Sequence, residues 1–386
     1  DYLAATVLAL TMQAVGGYAV AALLVAATLP TAVAGPVAGR NADRVDSRLL
    51  LTAVGLAQAG CCLALAFVTG TVAVIALVAA LACGLALTAP TFAALLPDMA
   101  GRAALPRAAA IRQTATSIGA LAGPALAGLL VGWSGTRLPL LLDAVSYLAV
   151  AAAGLTIRTR RNAPTAGPAA APRASASASP GTGVGTGRVP GWRMRDDRLL
   201  FGTVALLAMM ICAVGAIGVA EVFFVRVGLG ASATAFGLVG TVWMAGIIGG
   251  AWLVARAPGA GDAALAGRLV LAAGALSATV AASGFVPSVW WLAGLWAVGG
   301  CCNGVLSAGI GVLLGRRVPE RYRGRGAAGF NAVLSAANLV GFLGGGLLID
   351  RLPSGTVMSG CGLVGVVVVA VSGPLILRAG LRPGRP

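Results

Sequence analysis

Histidine and lysine are absent from this chain, and charge of either sign is scarce. Of its 386 residues, 10% are charged and 59% are hydrophobic. Each shortage excludes something. Without histidine, zinc sites and imidazole acid–base catalysis lose their commonest residue. Soluble domains carry about 25% charged residues, so too little charge is present to coat a soluble surface. The excess apolar surface needs lipid as its solvent, and the chain reads as an integral, all-α membrane protein. All 27 basic residues are arginines, and the net charge is +16. Nucleic-acid binding is the usual reading of so basic a chain. It fails here because the arginines are confined to short connectors between apolar runs. Arginine-only usage, with abundant Ala and Gly, points to a GC-rich bacterial source.

The seven cysteines (Cys61, Cys62, Cys83, Cys212, Cys301, Cys302 and Cys361) lie inside apolar runs without metal-ligand spacing. They read as small packing residues. No Ser-based motif accompanies them, so neither an enzyme nor a bound cofactor is expected. No cleavable signal peptide is expected either.

Twelve apolar segments are predicted, at 1–15, 18–39, 49–69, 71–96, 108–132, 138–157, 199–225, 231–255, 264–286, 289–314, 327–349 and 355–377. Most have the length of tilted membrane helices. Before Gly16 the first offers about 21 Å of helix against the about 30 Å of a bilayer core. Its start is expected upstream of Asp1.

The connectors alternate sharply in charge. If the N-terminus is cytoplasmic, every arginine except Arg137, Arg226 and Arg351 falls on the inner side. This positive-inside asymmetry predicts that both termini are cytoplasmic. Trp290 and Trp291 begin segment ten on the outer side, as an interfacial belt would. Residues 159–198 are rich in Ala, Pro, Ser and Gly and read as a flexible cytoplasmic linker. They divide the chain into a six-helix bundle at 1–158, a second at 199–378 and a cytoplasmic tail at 379–386. The two halves also align. Residues 104–130 match 322–348 at an offset of 218, pairing Arg107 with Arg325, Gly123 with Gly341 and Leu129-Leu130 with Leu347-Leu348. Two parallel repeats point to a secondary transporter with its site between them.

Between segments two and three stands "GRNADRVDSR" (39–48), preceded by Gly35. Gly35 and Gly39 thin the end of segment two. A carboxylate at Asp43 is placed to cap a neighbouring helix and to hold arginines of the other half. A solvated turn whose arginines only fix topology is the plainer alternative. The spacing resembles the G-x-x-x-D-R-x-G-R-R signature of the major facilitator superfamily, with Gly39, Asp43, Arg44 and Arg48 matching. Asp46 stands where that family has glycine, and Ser47 where it has a basic residue. The resemblance implies that Asp43 engages the start of the eleventh helix, where Arg323 and Arg325 lie, and gates the inner side.

"GALAGPALAG" (119–128) resembles the fifth-helix motif of the drug:proton antiporters of that family. Gly119, Gly123, Pro124 and Gly128 match, and Ala127 replaces a glycine. The resemblance places this bare, bendable face near the interface of the halves. It implies a proton-driven exporter of a lipophilic small molecule, similar to macrolide-efflux and enterobactin exporters; an importer or exporter of another substrate class, or a membrane sensor or scaffold that transports nothing, is the alternative. The mid-helix-four arginine of that branch is missing from 78–92.

Ionisable groups within spans are costly and mark candidate sites. Glu221 is either a proton-coupling acid or a partner of Arg226 about one turn on. Asp143 is either a proton carrier or a hydrogen-bonded acid in a peripheral helix. Asp1 is the third candidate, and Asp350, beside Arg351, reads as interfacial. Arg112, Gln113, Asn303, Asn331 and Asn338 are polar candidates for the cavity, and Phe223, Phe224, Trp243 and Met244 apolar ones. Helix packing or lipid contact is the alternative for each. The expected partners are a small-molecule substrate and the lipid of a plasma membrane, with no nucleic acid and no obligate protein partner. The chain is expected to work as a monomer.

Overall fold

The computed structural model describes residues 2–42, 47–156, 197–256, 261–319 and 322–380. Among the described residues every regular element is helical. In chain order these are α1 (Tyr2–Met12), α2 (Gly17–Ala42), α3 (Ser47–Leu65), α4 (Thr71–Ser134), α5 (Arg137–Thr156), α6 (Arg198–Phe223), α7 (Ala233–Arg256), α8 (Asp262–Ser283), α9 (Val289–Arg317), α10 (Arg323–Ile349) and α11 (Ser354–Gly380). Ten stretches are long and apolar enough to cross a membrane, and Leu3–Met12 and Gly17–Val33 are shorter apolar helices. Most of the 159–198 linker and the last residues of the tail lie outside the described residues. The helix of the last segment runs to Gly380, three residues past its expected end.

One element departs from expectation. Segments four and five were expected as separate helices, but α4 is helical for all of its 64 residues. A straight helix of that length would hold its ends about 96 Å apart. Yet Phe67, just before α4, and Arg137, just after it, lie together, with the guanidinium 5.9 Å from the ring centroid. The helix therefore doubles back, giving limbs Thr71–Ala89 and Arg107–Ser134 that each cross the membrane. Between the limbs the sequence carries Pro90, Pro97 and Pro106, which remove three helix donors and favour a bend. The intervening alanines keep the turn helical.

Contacts sort the helix ends onto two faces. On one, Phe67 meets Arg137, Gly17 meets Asp350, Thr234 meets Gly132, and Gly284 meets Gly355. This face carries Arg137, Arg226 and Arg351 and is the arginine-poor one. On the other, Arg317 at the end of α9 bonds Asp262 at the start of α8 (2.7 Å) and Asp197 before α6 (3.2 Å). Asp197 also caps α6, accepting from the N–H groups of Leu199 and Leu200. One side chain thus ties three helix ends together.

Two clusters form the interior. One is confined to the second half, with Leu200, Leu207, Leu269, Leu276, Leu306 and Met358 at its centre. The other fills the first half with Val7, Val20, Leu23, Cys62, Val78 and Leu140. It also takes in Val219, Val222 and Phe342 from the second half, so apolar packing runs across the junction.

Between helices, contact is often backbone to backbone. Gly246 and Gly250 of α7 face Ala297, Cys301 and Val305 of α9, and Gly300 and Gly304 of α9 face Trp243 and Ile247 of α7. Spaced four apart on both partners, these glycines let two backbones touch where lipid offers no hydrophobic drive. A Cβ on Gly250 would occupy the position of the Cys301 carbonyl, whereas one on Gly249 would meet open space. Gly250→Ala is expected to destabilise the fold by about 1–3 kcal/mol, read as a lowered detergent melting temperature. Gly249→Ala is expected to leave that temperature unchanged. Among the described residues, replacing Arg317 with Met leaves Asp197 with only the N–H groups of Leu199 and Leu200 and Asp262 with only Arg316 at 3.6 Å. It should cost about 1–3 kcal/mol in the same measurement, and less at high salt.

Candidate functional site

The seam between the halves is where a transporter of two repeats places its site, and it has two strips. In the first, α2 lies on α10. Gly346 approaches Ala21 and Gly17, and Gly17 approaches Ile349 and Asp350. In the second, the later limb of α4 lies on α7. Gly128 faces Ala233 and Gly237, Gly237 faces the Pro124 carbonyl, and a Cβ added to Gly240 would lie 3.3 Å from the Pro124 ring. Thr234 Oγ1 donates to the Gly128 carbonyl at 3.3 Å. Of the fifth-helix motif residues, Gly123, Pro124 and Gly128 are buried, and Pro124 and Gly128 touch the other half directly. Gly119 is exposed. Both strips run inward from the arginine-poor face. Toward the arginine-rich face the α4 limb stands free, and every residue from Ile111 to Thr116 is exposed.

Arg112 and Gln113 lie on that free surface, where the Arg112 carbonyl accepts from Thr116 Oγ1. Of the gating motif, Gly35 and Gly39 fall in α2, and Arg48 is partly buried in the first turn of α3. Asp43 and Arg44 lie outside the described residues, as does Asp1, and so do the side chains of Arg323 and Arg325 in α10.

Glu221 carries the most distinctive intramembrane geometry. It lies on α6 about 10 Å in from Gly228, at the arginine-poor end of the span. Trp296 Nε1 donates to its carboxylate at 2.8 Å. Trp296 is 2% exposed and sits edge-on to Trp243 of α7, with centroids 5.2 Å apart and planes at 62°. Indole has only a donor to offer, so this pairing suits an acceptor held in an apolar wall. The alternative pairing of Glu221 with Arg226 is not formed. After Phe223 the helix widens into a π turn over Phe224–Gly228. Arg226 instead donates to the Ala231 carbonyl at 2.7 Å. Five residues apart, the two side chains lie well off a common helix face, and Arg226 is held by the Ala231 carbonyl beyond the turn.

The other candidates scatter. Phe223 packs against the cluster that bridges the halves, whereas Phe224 is buried in the second-half core. Met244 and Asn303 are half-buried; Asn303 lies two helical turns from Trp296 on α9 and so shares its side of the helix. Asn338 is wedged against Gly215 at the contact of α6 with α10, and Asn331 is exposed. Asp143 is 8% exposed on α5. It accepts from Ser146 Oγ at 3.4 Å and lies within electrostatic reach of Tyr147 and Cys62. A groove of about 520 Å³ opens beside Val15, Tyr18, Ile75 and Asp350 at the arginine-poor end. It is separate from the Glu221 neighbourhood.

Three features were not legible in the sequence. The Trp296 partner of Glu221 lies 75 residues away. The Arg317 cluster joins three connectors. Asp350, read as interfacial, reaches across the halves to Gly17. Only the cap at Asp197, an Asp just before an apolar run, had a sequence signal.

The whole arrangement matches known folds. It is similar to a bacterial homologue of the human lysosomal transporter Spinster, in an inward-facing and unoccupied conformation. The TM-score is 0.73 at 14% identity, covering 98% of this chain and 94% of that one. It is also similar to a bacterial homologue of the iron transporter ferroportin in an inward-facing state (TM-score 0.68, 16% identity, 99% and 95% covered). The nucleoside transporter NupG gives a TM-score of 0.68 at 14% identity, with 98% and 95% covered. No curated protein matches in sequence. The family model described as Major Facilitator Superfamily matches residues 1–282. Twelve helices in two six-helix bundles, a seam of bare backbone between them and a family match over most of its length make this chain a member of the Major Facilitator Superfamily of membrane transporters.

Proposed function

We propose that this chain is a secondary active exporter that moves a lipophilic small molecule out of a bacterial cell by alternating access, in exchange for protons. The observation that carries the reading is the Glu221 carboxylate. It sits in a span otherwise empty of charge, held by the Trp296 indole and left unpaired by Arg226. A carboxylate in that setting binds and releases a proton as its surroundings change between the two access states. The membrane potential contributes about 2.3 kcal/mol per charge per 100 mV to such an exchange. Few charges line the spans, which favours a neutral or cationic lipophilic substrate over phosphorylated ones, whose recognition calls for several inward arginines. The structural relatives are named for substrates as different as iron and nucleosides, so the fold leaves the substrate class to the side chains.

With the arginine-rich face in the cytoplasm, the closed strips of the seam face outward and the molecule stands open to the cytoplasm. In this reading Asp43, with Arg44 and Arg48, closes the inner side against the start of α10 when the halves rock back. The apolar face of Gly123, Pro124 and Gly128 keeps the outer side sealed meanwhile.

Everted vesicles carrying the protein test both steps. A lipophilic fluorescent cation added under an imposed pH gradient is expected to drive proton movement in the export direction. Glu221→Gln is expected to abolish that movement while substrate binding persists, and Asp143→Asn to leave it intact. Asp43→Asn is expected to slow turnover without changing the proton-to-substrate ratio. Wild-type vesicles whose transport ignores the pH gradient would refute proton antiport.

A further inference from the structure

We infer that Asp350 is the latch that holds the two halves together at the arginine-poor face. Opening the path to that face then requires its carboxylate to leave the N-terminus of α2. The inference rests on the alternating-access reading, but not on proton coupling or on any substrate.

The geometry is specific. Asp350 ends α10 in the second half, and its Oδ1 accepts from the N–H of Gly17, the first residue of α2 in the first half, at 2.9 Å. The carboxylate therefore meets both an orphan helix donor and the positive end of the α2 dipole. Two features on α2 make the approach possible. Gly16 turns the chain with φ +136°, a conformation that favours glycine. Gly17 has no Cβ, and the room a Cβ would take is filled by Ile349, Asp350 Oδ1 and the Gly346 carbonyl. On α10, the Asp350 N–H returns to the Leu348 carbonyl, so the residue closes its own helix while its side chain reaches across.

The bond is suited to a device that opens. Asp350 is exposed, so water can solvate both the carboxylate and the freed N–H once the halves part. Closure thus depends on a modest difference rather than on a buried charge. A second polar bond between the halves, among the described residues, joins two uncharged groups, Thr234 and the Gly128 carbonyl, at 3.3 Å. Charge assistance makes the Asp350 bond the stronger of the two. The same carboxylate borders the groove beside Tyr18 and Ile75, so parting the halves there would widen an opening already present.

Spin labels at Trp133→Cys and Leu352→Cys, in the full-length chain freed of native cysteines and placed in nanodiscs, measure the separation of the halves at this face. Both positions are exposed, at 86% and 43%. Without substrate or pH gradient, Asp350→Ala is expected to raise the ratio of separated to closed molecules about tenfold. Asp350→Asn, which keeps an acceptor oxygen but no charge, should fall between it and wild type. Thr234→Val should shift the ratio less than Asp350→Ala. The inference is overturned if Asp350→Ala gives the wild-type distance distribution. It is equally overturned if Asp350→Ala lowers only the melting temperature, or if Gly17→Ala separates the halves while Asp350→Ala does not. Failure here would leave the proton-coupling assay on Glu221 untouched.

Discussion

In hydrocarbon, a helix gains nothing by hiding its apolar face from lipid, and it can leave no polar group unanswered. That constraint governs the rest of this structure. It requires helices throughout, and it makes close packing the source of cohesion between them. Where α7 meets α9, the glycines at 246, 250, 300 and 304 bring one backbone against another. Where α4 meets α7, Gly128 and Gly237 do the same across the two halves. The contact that builds a bundle and the contact that seals the transport path are therefore physically alike. They differ in what lies beside them: a continuous apolar core within a half, and a seam that ends partway through the membrane between halves.

The same constraint gives the few polar side chains their roles. At the arginine-rich face, Arg317 draws Asp197 and Asp262 together and pins three helix ends of one half. That cluster lies wholly within the second half, so it stiffens a body that must move as a unit. At the arginine-poor face, Asp350 reaches from one half to the other. Near the end of α6, Glu221 is held by an indole N–H. A hydrogen bond to a neutral donor holds such a carboxylate without the ion pair that would fix its charge. On the readings proposed above, the three settings correspond to rigidity, gating and proton exchange.

Much of the architecture was legible before any coordinates, because membrane insertion leaves a one-dimensional record. Hydrophobic run length marks the spans, and arginine distribution marks the faces; the contacts of Phe67 with Arg137 and of Gly17 with Asp350 agree with that alternation. The resemblance over 119–128 pointed to an interface, and Pro124 and Gly128 do touch α7. The departures were local. The turn between segments four and five is helical, because alanines persist between its prolines. Of the two readings open for Glu221, the pairing with Arg226 is not formed, because Arg226 bonds the Ala231 carbonyl instead.

By itself, then, the sequence determined the lipid environment, the number of crossings, the alternation of faces and the division into related halves. Each depends only on composition read along the chain. Tertiary structure alone decided which polar groups meet. Trp296 finds Glu221 across 75 residues, and Asp350 finds Gly17 across 333. A donor and an acceptor carry no mark of each other in sequence, and they become partners only when helix packing brings their ends within about 3 Å.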